Sequence, residues 1–263
     1  MVDRSSDVVI VTGAAAGIGF GIAKSYLDAG ARVGICDFRE DAVARAAAQL
    51  GESERLDAGV IDVRDETQVD GYFGHIEETF GPPTIVVANA GIYPNSPVVD
   101  MPVEEWDRVM ETNGRGAFLT CRAAARSMVA AVPASRRPGG NIITISSGAH
   151  QSGRVGAAHY CASKAAVVML TKVLALELAP HRIRVNCIAP GLVEVHSEVS
   201  PISEEYKSTL TNSIPWGRIG QPEDIANAAM FLSSPEADFI TGEVLSVNGG
   251  SSAGRAFLPP SNP

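Results

Sequence analysis

Near its start the chain carries a β-branched run, Val8 to Val11, that passes directly into Thr12-Gly13-Ala14-Ala15-Ala16-Gly17-Ile18-Gly19. Behind that turn Ile22, Ala23, Tyr26 and Leu27 recur at helical spacing, and Gly30 closes the segment. A short, continuously apolar strand is the kind buried on both faces of a parallel sheet. A glycine turn between such a strand and a helix lets the main chain approach a pyrophosphate. Glycine tolerates positive φ, and the helix N-terminus offers free N–H groups and a partial positive charge. The spacing here, Gly-x-x-x-Gly-x-Gly, is one residue longer than the commoner Gly-x-Gly-x-x-Gly.

The same unit recurs down the chain. Arg32 to Cys36, Ala58 to Ile61, Thr84 to Ala88, Ile142 to Ile145, Ile183 to Ile188 and Glu243 to Val247 read as further strands. Glu40 to Leu50, Asp65 to Phe80, Pro102 to Met128, the apolar stretch around Tyr160, and Glu223 to Leu232 read as helices between them. This alternation predicts an α/β fold with a single doubly wound parallel sheet of about seven strands and helices on both faces. No internal repeat, low-complexity stretch or linker divides it, so residues 1–263 are expected to form one domain. An apolar content of 45% against 19% charged residues supports a packed core and argues against disorder.

The net charge of −9 disfavours nucleic acid or an anionic membrane as partner. No apolar run approaches the length of a bilayer span, and Met1 to Ser6 lacks the basic-then-apolar order of a signal peptide. Cys36, Cys121, Cys161 and Cys187 form no C-x-x-C pair and no Cys/His cluster with zinc spacing, so no metal is expected. All four read as small buried apolar residues in a reducing, cytoplasmic setting.

Polar residues gather where the strands end, which is where such sheets bind ligands. Asp37 closes the second strand 18 residues past Gly19, in place to accept hydrogen bonds from an adenosine ribose and to repel the extra phosphate of NADP. Ala16 leaves the turn without a basic residue. Arg39 is the dissenting charge, able to meet a 2′-phosphate or simply to sit solvated in the next helix. Asp62 follows the third strand, where its side chain could reach an adenine amino group. The expected cofactor is therefore NAD, with NADP less favoured.

The chemistry is expected at Ser147, Tyr160 and Lys164. Four residues apart on one helix face, the Tyr160 hydroxyl and Lys164 ammonium can converge on one point. A free tyrosine titrates near 10, so a base working near 7 needs about 4 kcal/mol of preference for phenolate. One ammonium about 4 Å away, at an effective dielectric of about 20, supplies that much. Ser147 could hydrogen-bond the same substrate oxygen.

Taken in order, the glycine turn Gly13, Gly17, Gly19, then Asn89-Ala90-Gly91, Asn113, Ser147 thirteen residues before Tyr160, Lys164, Asn186, Pro190-Gly191 and Val247-Asn248-Gly249-Gly250 resemble the short-chain dehydrogenase/reductase family, of the Rossmann type. The resemblance runs from Val8 to Gly250. It implies a metal-free hydride transfer between cofactor and substrate. It implies Tyr160 as acid/base, Lys164 as the group that lowers its pKa and binds the nicotinamide ribose, Ser147 as the polarising hydroxyl, and Asn113 as holder of a water in a proton relay. Ala16, Ile18, Asp62 and Val63 would join the glycine turn in binding the cofactor. Asn89, Ala90 and Gly91 would line the adenosine side, and Ile188 to Gly191 with Val193 the nicotinamide face. Many relatives hold the carboxamide with a Thr where Val195 approximately stands here, so backbone groups or Ser197 would have to substitute. A homotetramer is implied, joined through the Tyr160 helix and the last helix and strand. The tail, residues 251–263, carries Phe257 and Leu258 and is expected to dock on a neighbouring subunit.

The family's pocket is built from three places. Here they supply Tyr93, Pro94 and Asn95; His150, Gln151, Arg154 and His159; and Glu194, His196, Ser197 and Glu198, in a lid spanning about residues 192–215. So many donors suit a hydroxylated substrate such as a sugar, polyol or anionic sugar derivative better than a steroid or fatty chain. Tyr93, His150, Arg154 and His196 are the substrate candidates, Arg154 for a carboxylate, phosphate or sulfonate. Two other readings stand beside an NAD-linked alcohol or sugar dehydrogenase. A 3-oxoacyl-thioester (acyl-carrier-protein) reductase would call for NADPH and a basic patch, and a non-catalytic NAD-binding regulator would not need the intact polar set.

Overall fold

Strand β1 (Val8–Thr12) is buried along its whole length. It is an interior strand, third in a seven-stranded sheet of order β3-β2-β1-β4-β5-β6-β7, all pairs parallel. The other strands are β2 (Arg32–Asp37), β3 (Leu56–Val60), β4 (Ile85–Ala88), β5 (Asn141–Ile145), β6 (Arg184–Pro190) and β7 (Val244–Val247). The computed structural model describes residues 3–51, 53–135 (side chains to 131), 139–194 and 211–254.

Side chains along a strand alternate between faces, so one strand feeds two cores. Val9 and Val11 of β1 pack into a layer with Ile22 and Tyr26 of α1 (Gly17–Asp28) and Ile225 and Leu232 of α7 (Pro222–Leu232). Val8 and Ile10 face the opposite layer. It holds Phe73 and Ile76 of α3 (Glu66–Phe80), Leu119 and Met128 of α5 (Gly116–Ser135), and Ala175 and Leu178 of α6 (Ala158–Leu178). Tyr26 is fully buried and keeps its hydroxyl satisfied, donating to the Ala229 carbonyl at 3.1 Å with Ser233 Oγ at 2.7 Å. A Cβ on Gly21 would sit 2.6 Å from Pro222 Cβ, so the close approach of α1 to α7 requires glycine there.

Strand order reverses between β1 and β4, and in such sheets the carboxyl ends of the strands at this switch point are where a ligand crevice lies. Thr12-Gly13 and Asn89-Ala90 stand at these ends.

The structure departs from the sequence expectation in three elements, of which β6 is one, running two residues past Ile188 to Pro190. β3 begins two residues earlier than expected, at Leu56, because its partner is β2 (Val33↔Leu56) and its half-exposed edge position needs no continuous apolar run. The long helix expected from Pro102 to Met128 is three pieces. They are α4 (Val103–Val109), a π-helical turn (Met110–Arg115) and α5, which continues to Ser135. The widened turn carries Asn113, buried to 1% exposure. Its carboxamide bonds outside the helix, and π-turns commonly mark such functional insertions. Helix α2 is Glu40–Leu50, as the periodicity predicts.

Candidate active site

Ser147 follows β5 and caps the short 3₁₀ turn Gly148–His150. Its Oγ accepts from Ala149 N at 3.2 Å, which leaves the O–H free to donate. Tyr160 and Lys164 occupy the first two turns of α6, as their spacing predicts. Lys164 is 5% exposed, and its Nζ donates to the Ile145 carbonyl at 2.8 Å, with two N–H groups remaining. Asn113 Oδ1 accepts from Ile92 N at 2.8 Å, while its Nδ2 donates to Ile92 O at 2.9 Å and to Ser163 Oγ at 3.1 Å. Both amide hydrogens are thus committed, and one Oδ1 lone pair remains for the expected water. A Cβ on Gly91 would meet Asn113 Oδ1 at 3.2 Å and Lys164 Nζ at 3.4 Å, so the glycine is the space in which these two groups approach.

Burial is the largest influence on Tyr160 and raises its pKa above that of a free tyrosine. Hydrogen bonding by Ser147 and the charge of Arg154 pull it back in part. The lowering expected of Lys164 is weaker than the 4 Å argument supposed. The ammonium is bonded to Ile145, and Nζ lies 5.8 Å from the Tyr160 ring centroid.

At the glycine turn, Gly13 and Gly17 have φ of +63° and +57°. A Cβ on Gly19 would stand 2.4 Å from the Gly13 carbonyl oxygen and 2.5 Å from Asn89 Nδ2. Ala16 precedes α1 in extended conformation and no side chain caps the helix, so its first N–H groups point into the crevice without a protein partner. Asn89 locks the turn to β4, with Nδ2 donating to Thr12 O and Gly13 O, each at 2.9 Å. Asp37 ends β2 with its side chain 12% exposed. Its Oδ1 accepts from Arg39 N at 3.3 Å, and the Arg39 guanidinium lies 3.9 Å from the same oxygen.

A family model described as Enoyl-(Acyl carrier protein) reductase matches residues 13–252. The chain is 37% identical to a 3-oxoacyl-[acyl-carrier-protein] reductase of Chlamydia muridarum over 92% of its own length and 95% of the relative's. It is 35% identical to a sorbitol dehydrogenase of Cereibacter sphaeroides, over the same shares of the two chains. A solved short-chain type dehydrogenase/reductase from Mycobacterium marinum superposes with a TM-score of 0.87 at 36% identity, covering 96% of this chain and 98% of that one. The chain belongs to the short-chain dehydrogenase/reductase family.

It is therefore an oxidoreductase that works on CH–OH groups with a nicotinamide cofactor. The residues present fit that cofactor: the glycines a Cβ would block, the uncapped start of α1 for a pyrophosphate, and the Asp37 carboxylate for a ribose diol. Asp62 fits less freely. Its two oxygens already accept from Arg64 N, Nε and Nη2 at 2.6–3.0 Å, so a bond to an adenine amino group competes with Arg64. Val63, 7% exposed, packs beside it; its Cγ2 would lie 2.7 Å from a Cβ on Gly116. Ile18 is a half-buried residue of the first turn of α1. Pro190 ends β6, Gly191 N donates to Val247 O at 3.0 Å, and buried Val193 bridges to Gly220. Asn186 is structural, its Nδ2 donating to Ile240 O at 2.8 Å. Of the cysteines, Cys36, Cys121 and Cys187 are buried as expected, whereas Cys161 is only partly so.

Around Tyr160 the structure gathers Tyr93, edge-on with ring centroids 6.3 Å apart, and Arg154, whose guanidinium carbon is 5.9 Å from the Tyr160 ring centroid. His150 Nδ1 is tied to the Ser147 carbonyl at 2.6 Å. His159 is a correction. Expected in the pocket, it is fully buried on the other side of the helix start. Its Nδ1 accepts from Tyr160 N at 2.8 Å, which leaves Nε2 to carry the proton toward Glu105 Oε1 at 3.3 Å. A ring nitrogen that caps the N–H of Tyr160 orients the first turn of α6, a role that no short-range sequence pattern marks. Val195, His196, Ser197, Glu198 and most of the expected lid lie outside the described residues, as does the tail from residue 255 with Phe257 and Leu258.

Burial lowers the Lys164 pKa to about 8. A lysine whose folded pKa lies below its unfolded value costs stability where both states are protonated, below about pH 8. The cost is relieved between about 8 and 10.5, because there the unfolded chain binds more protons. Lys164→Met removes this buried charge. We expect the stability difference between variant and wild type to shift in favour of wild type as pH rises through that window, measured by urea unfolding at a series of pH values. A pH-independent difference would contradict the charged, buried state of Lys164.

Proposed function

We propose that the enzyme uses NAD to interconvert a secondary alcohol and its ketone on a hydroxylated small molecule, a sugar, polyol or anionic sugar derivative. The observation that carries this reading is the polar mouth around the Tyr160 ring, formed by Tyr93, Asn95, His150 and Arg154. Such a lining suits hydroxyl-rich molecules better than apolar ones. Similarity to a sorbitol dehydrogenase points the same way.

In oxidation Tyr160, as phenolate, takes the proton of the substrate hydroxyl. The free O–H of Ser147 donates to the same oxygen. Lys164 spends its two remaining N–H groups on the nicotinamide ribose, and its charge favours the phenolate. Bound NAD supplies the hydride acceptor. Asn113 holds Ile92 and Ser163 in place beside Lys164 and offers its last lone pair to a relay water. Asp37 accepts from the adenosine ribose, and its charge disfavours NADP. Initial rates with NAD and NADP across sugars, polyols, sugar acids and simple secondary alcohols test this. Faster turnover with NADP, or no activity on any hydroxylated compound, overturns it.

A second reading, reduction of 3-oxoacyl thioesters on a carrier protein, is supported by the similarity to the Chlamydia reductase. The net charge of −9 and Asp37 weigh against it, since an acidic carrier and NADPH both call for positive charge. The complete Ser147, Tyr160 and Lys164 set weighs against a non-catalytic regulator.

We further propose a cytoplasmic homotetramer. On α6, Met169 (58% exposed), Val173 and Leu176 (79% exposed) form an apolar face that a second copy would cover. Light scattering at working concentration should give four times the 27.5 kDa chain mass, and a monomeric mass contradicts it.

A further inference from the structure

We propose that Arg154 is the anion-binding residue of the substrate site, and that the preferred substrates are hydroxy acids and their oxo-acid products with the carboxylate a few bonds from the reacting carbon. This rests on the dehydrogenase reading above and narrows it.

Arg154 lies in the loop between the Ser147 turn and α6, and is exposed. Its Nη2 donates to Asn95 Oδ1 at 2.6 Å, across from the loop that follows β4. The two loops are fastened again at the backbone, Ser96 N donating to Gly156 O at 2.7 Å, with Gly156 at φ +75°. The guanidinium is therefore held by one hydrogen bond between two loops that are themselves fastened together, 5.9 Å from the Tyr160 ring centroid, with Tyr93 edge-on against the same ring.

Its partner is neutral, so the charge is not cancelled. Among the described residues no carboxylate pairs with Arg154, whereas Arg64, Arg122 and Arg218 pair with Asp62, Glu66 and Asp224. In a chain with 30 acidic and 21 basic side chains, a cation fixed beside the reacting tyrosine and left without a counter-charge is set to receive one from a ligand. Asn95 occupies one N–H of a planar fork with five, which leaves an edge free for a two-oxygen, bidentate acceptor. The phosphate of a carrier-bound pantetheine sits at the far end of a long arm from its thioester, too far to be met here while the reacting carbon lies at Tyr160. In the reaction the carbinol C–H bond breaks with the hydride passing to NAD, the hydroxyl proton passes to Tyr160, the C=O forms, and the carboxylate stays unchanged on Arg154.

The test compares kcat/KM with NAD for 2-, 3- and 4-hydroxypentanoate against their amides, and for gluconate against sorbitol, in wild type, Arg154→Gln and Arg154→Lys. Wild type should prefer the acid in at least one pair. Arg154→Gln should reduce that preference about 10- to 100-fold, mainly through KM, the worth of a hydrogen-bonded charge pair. Arg154→Lys should keep part of it. Any general effect on Tyr160 cancels in the ratio. An acid preference that survives Arg154→Gln overturns the proposal. A wild type that oxidises only the amides and sorbitol overturns it and leaves the dehydrogenase reading standing. A wild type inert to every pair overturns the proposal, and the dehydrogenase reading falls with it only if the wider panel of sugars, polyols, sugar acids and secondary alcohols is inert as well.

Discussion

Tyr160→Phe should lose about 100- to 10,000-fold in turnover, the range a positioned acid/base contributes, while still binding NAD. The substitution keeps the ring against Tyr93 and Arg154 and removes only the hydroxyl. His159 is buried, with Nδ1 accepting from Tyr160 N and Nε2 against Glu105, so it cannot replace the hydroxyl. His150 donates from Nδ1 to the Ser147 carbonyl and keeps a basic Nε2, so it is the group to test next if the variant stays active. For oxidation the wild-type rate should rise with pH and level off above the pKa of the phenol as set by its surroundings. Burial moves that plateau up and Ser147 and Arg154 move it down; the positive charges of Lys164 and the nicotinamide act in the same downward direction. Single-turnover rates and a fluorescence titration of NAD on the same protein separate chemistry from binding. If the variant kept about a tenth of wild-type turnover, rather than the expected loss, Tyr160 would not be the acid/base.

Asp37→Ala should lower the preference for NAD over NADP by about 10- to 100-fold, as expected for hydrogen bonds to a charged group. Two effects act in the same direction. The variant loses the ribose contacts of NAD, and it relieves the repulsion of the 2′-phosphate. A third follows from the geometry. Arg39, whose guanidinium lies 3.9 Å from Asp37 Oδ1, is released from its carboxylate and becomes free to meet that phosphate. Adding Arg39→Ala should therefore take back part of the gain with NADP. Dissociation constants for both cofactors in wild type, the single variant and the double variant read this directly. A wild type with equal affinity for both would remove Asp37 as the discriminator.

The sequence by itself determined the frame. Val8 to Val11, the glycine turn and the periodicity behind it are local patterns, and they identify β1, the turn and α1 because strand and helix spacing act over a few residues. The same holds for α2 and for the pair Tyr160 and Lys164, whose four-residue step already puts them on one face of α6. Tertiary structure alone decided what those groups touch. Lys164 reaches the carbonyl of Ile145, nineteen residues away, and spends on it part of the charge the sequence argument assigned to Tyr160. His159, adjacent to Tyr160 in sequence, turns into the interior because Glu105, 54 residues earlier, stands there to take its N–H. Arg154 gains a fixed place only because Asn95, 59 residues earlier, arrives on a neighbouring loop. The π-turn at Asn113 and the early start of β3 depend likewise on partners from other elements, Ile92 and β2. Periodicity reports which face of an element is buried. It carries no record of which distant donor or acceptor the fold will bring against it, and in this site that pairing decides where each charge is spent.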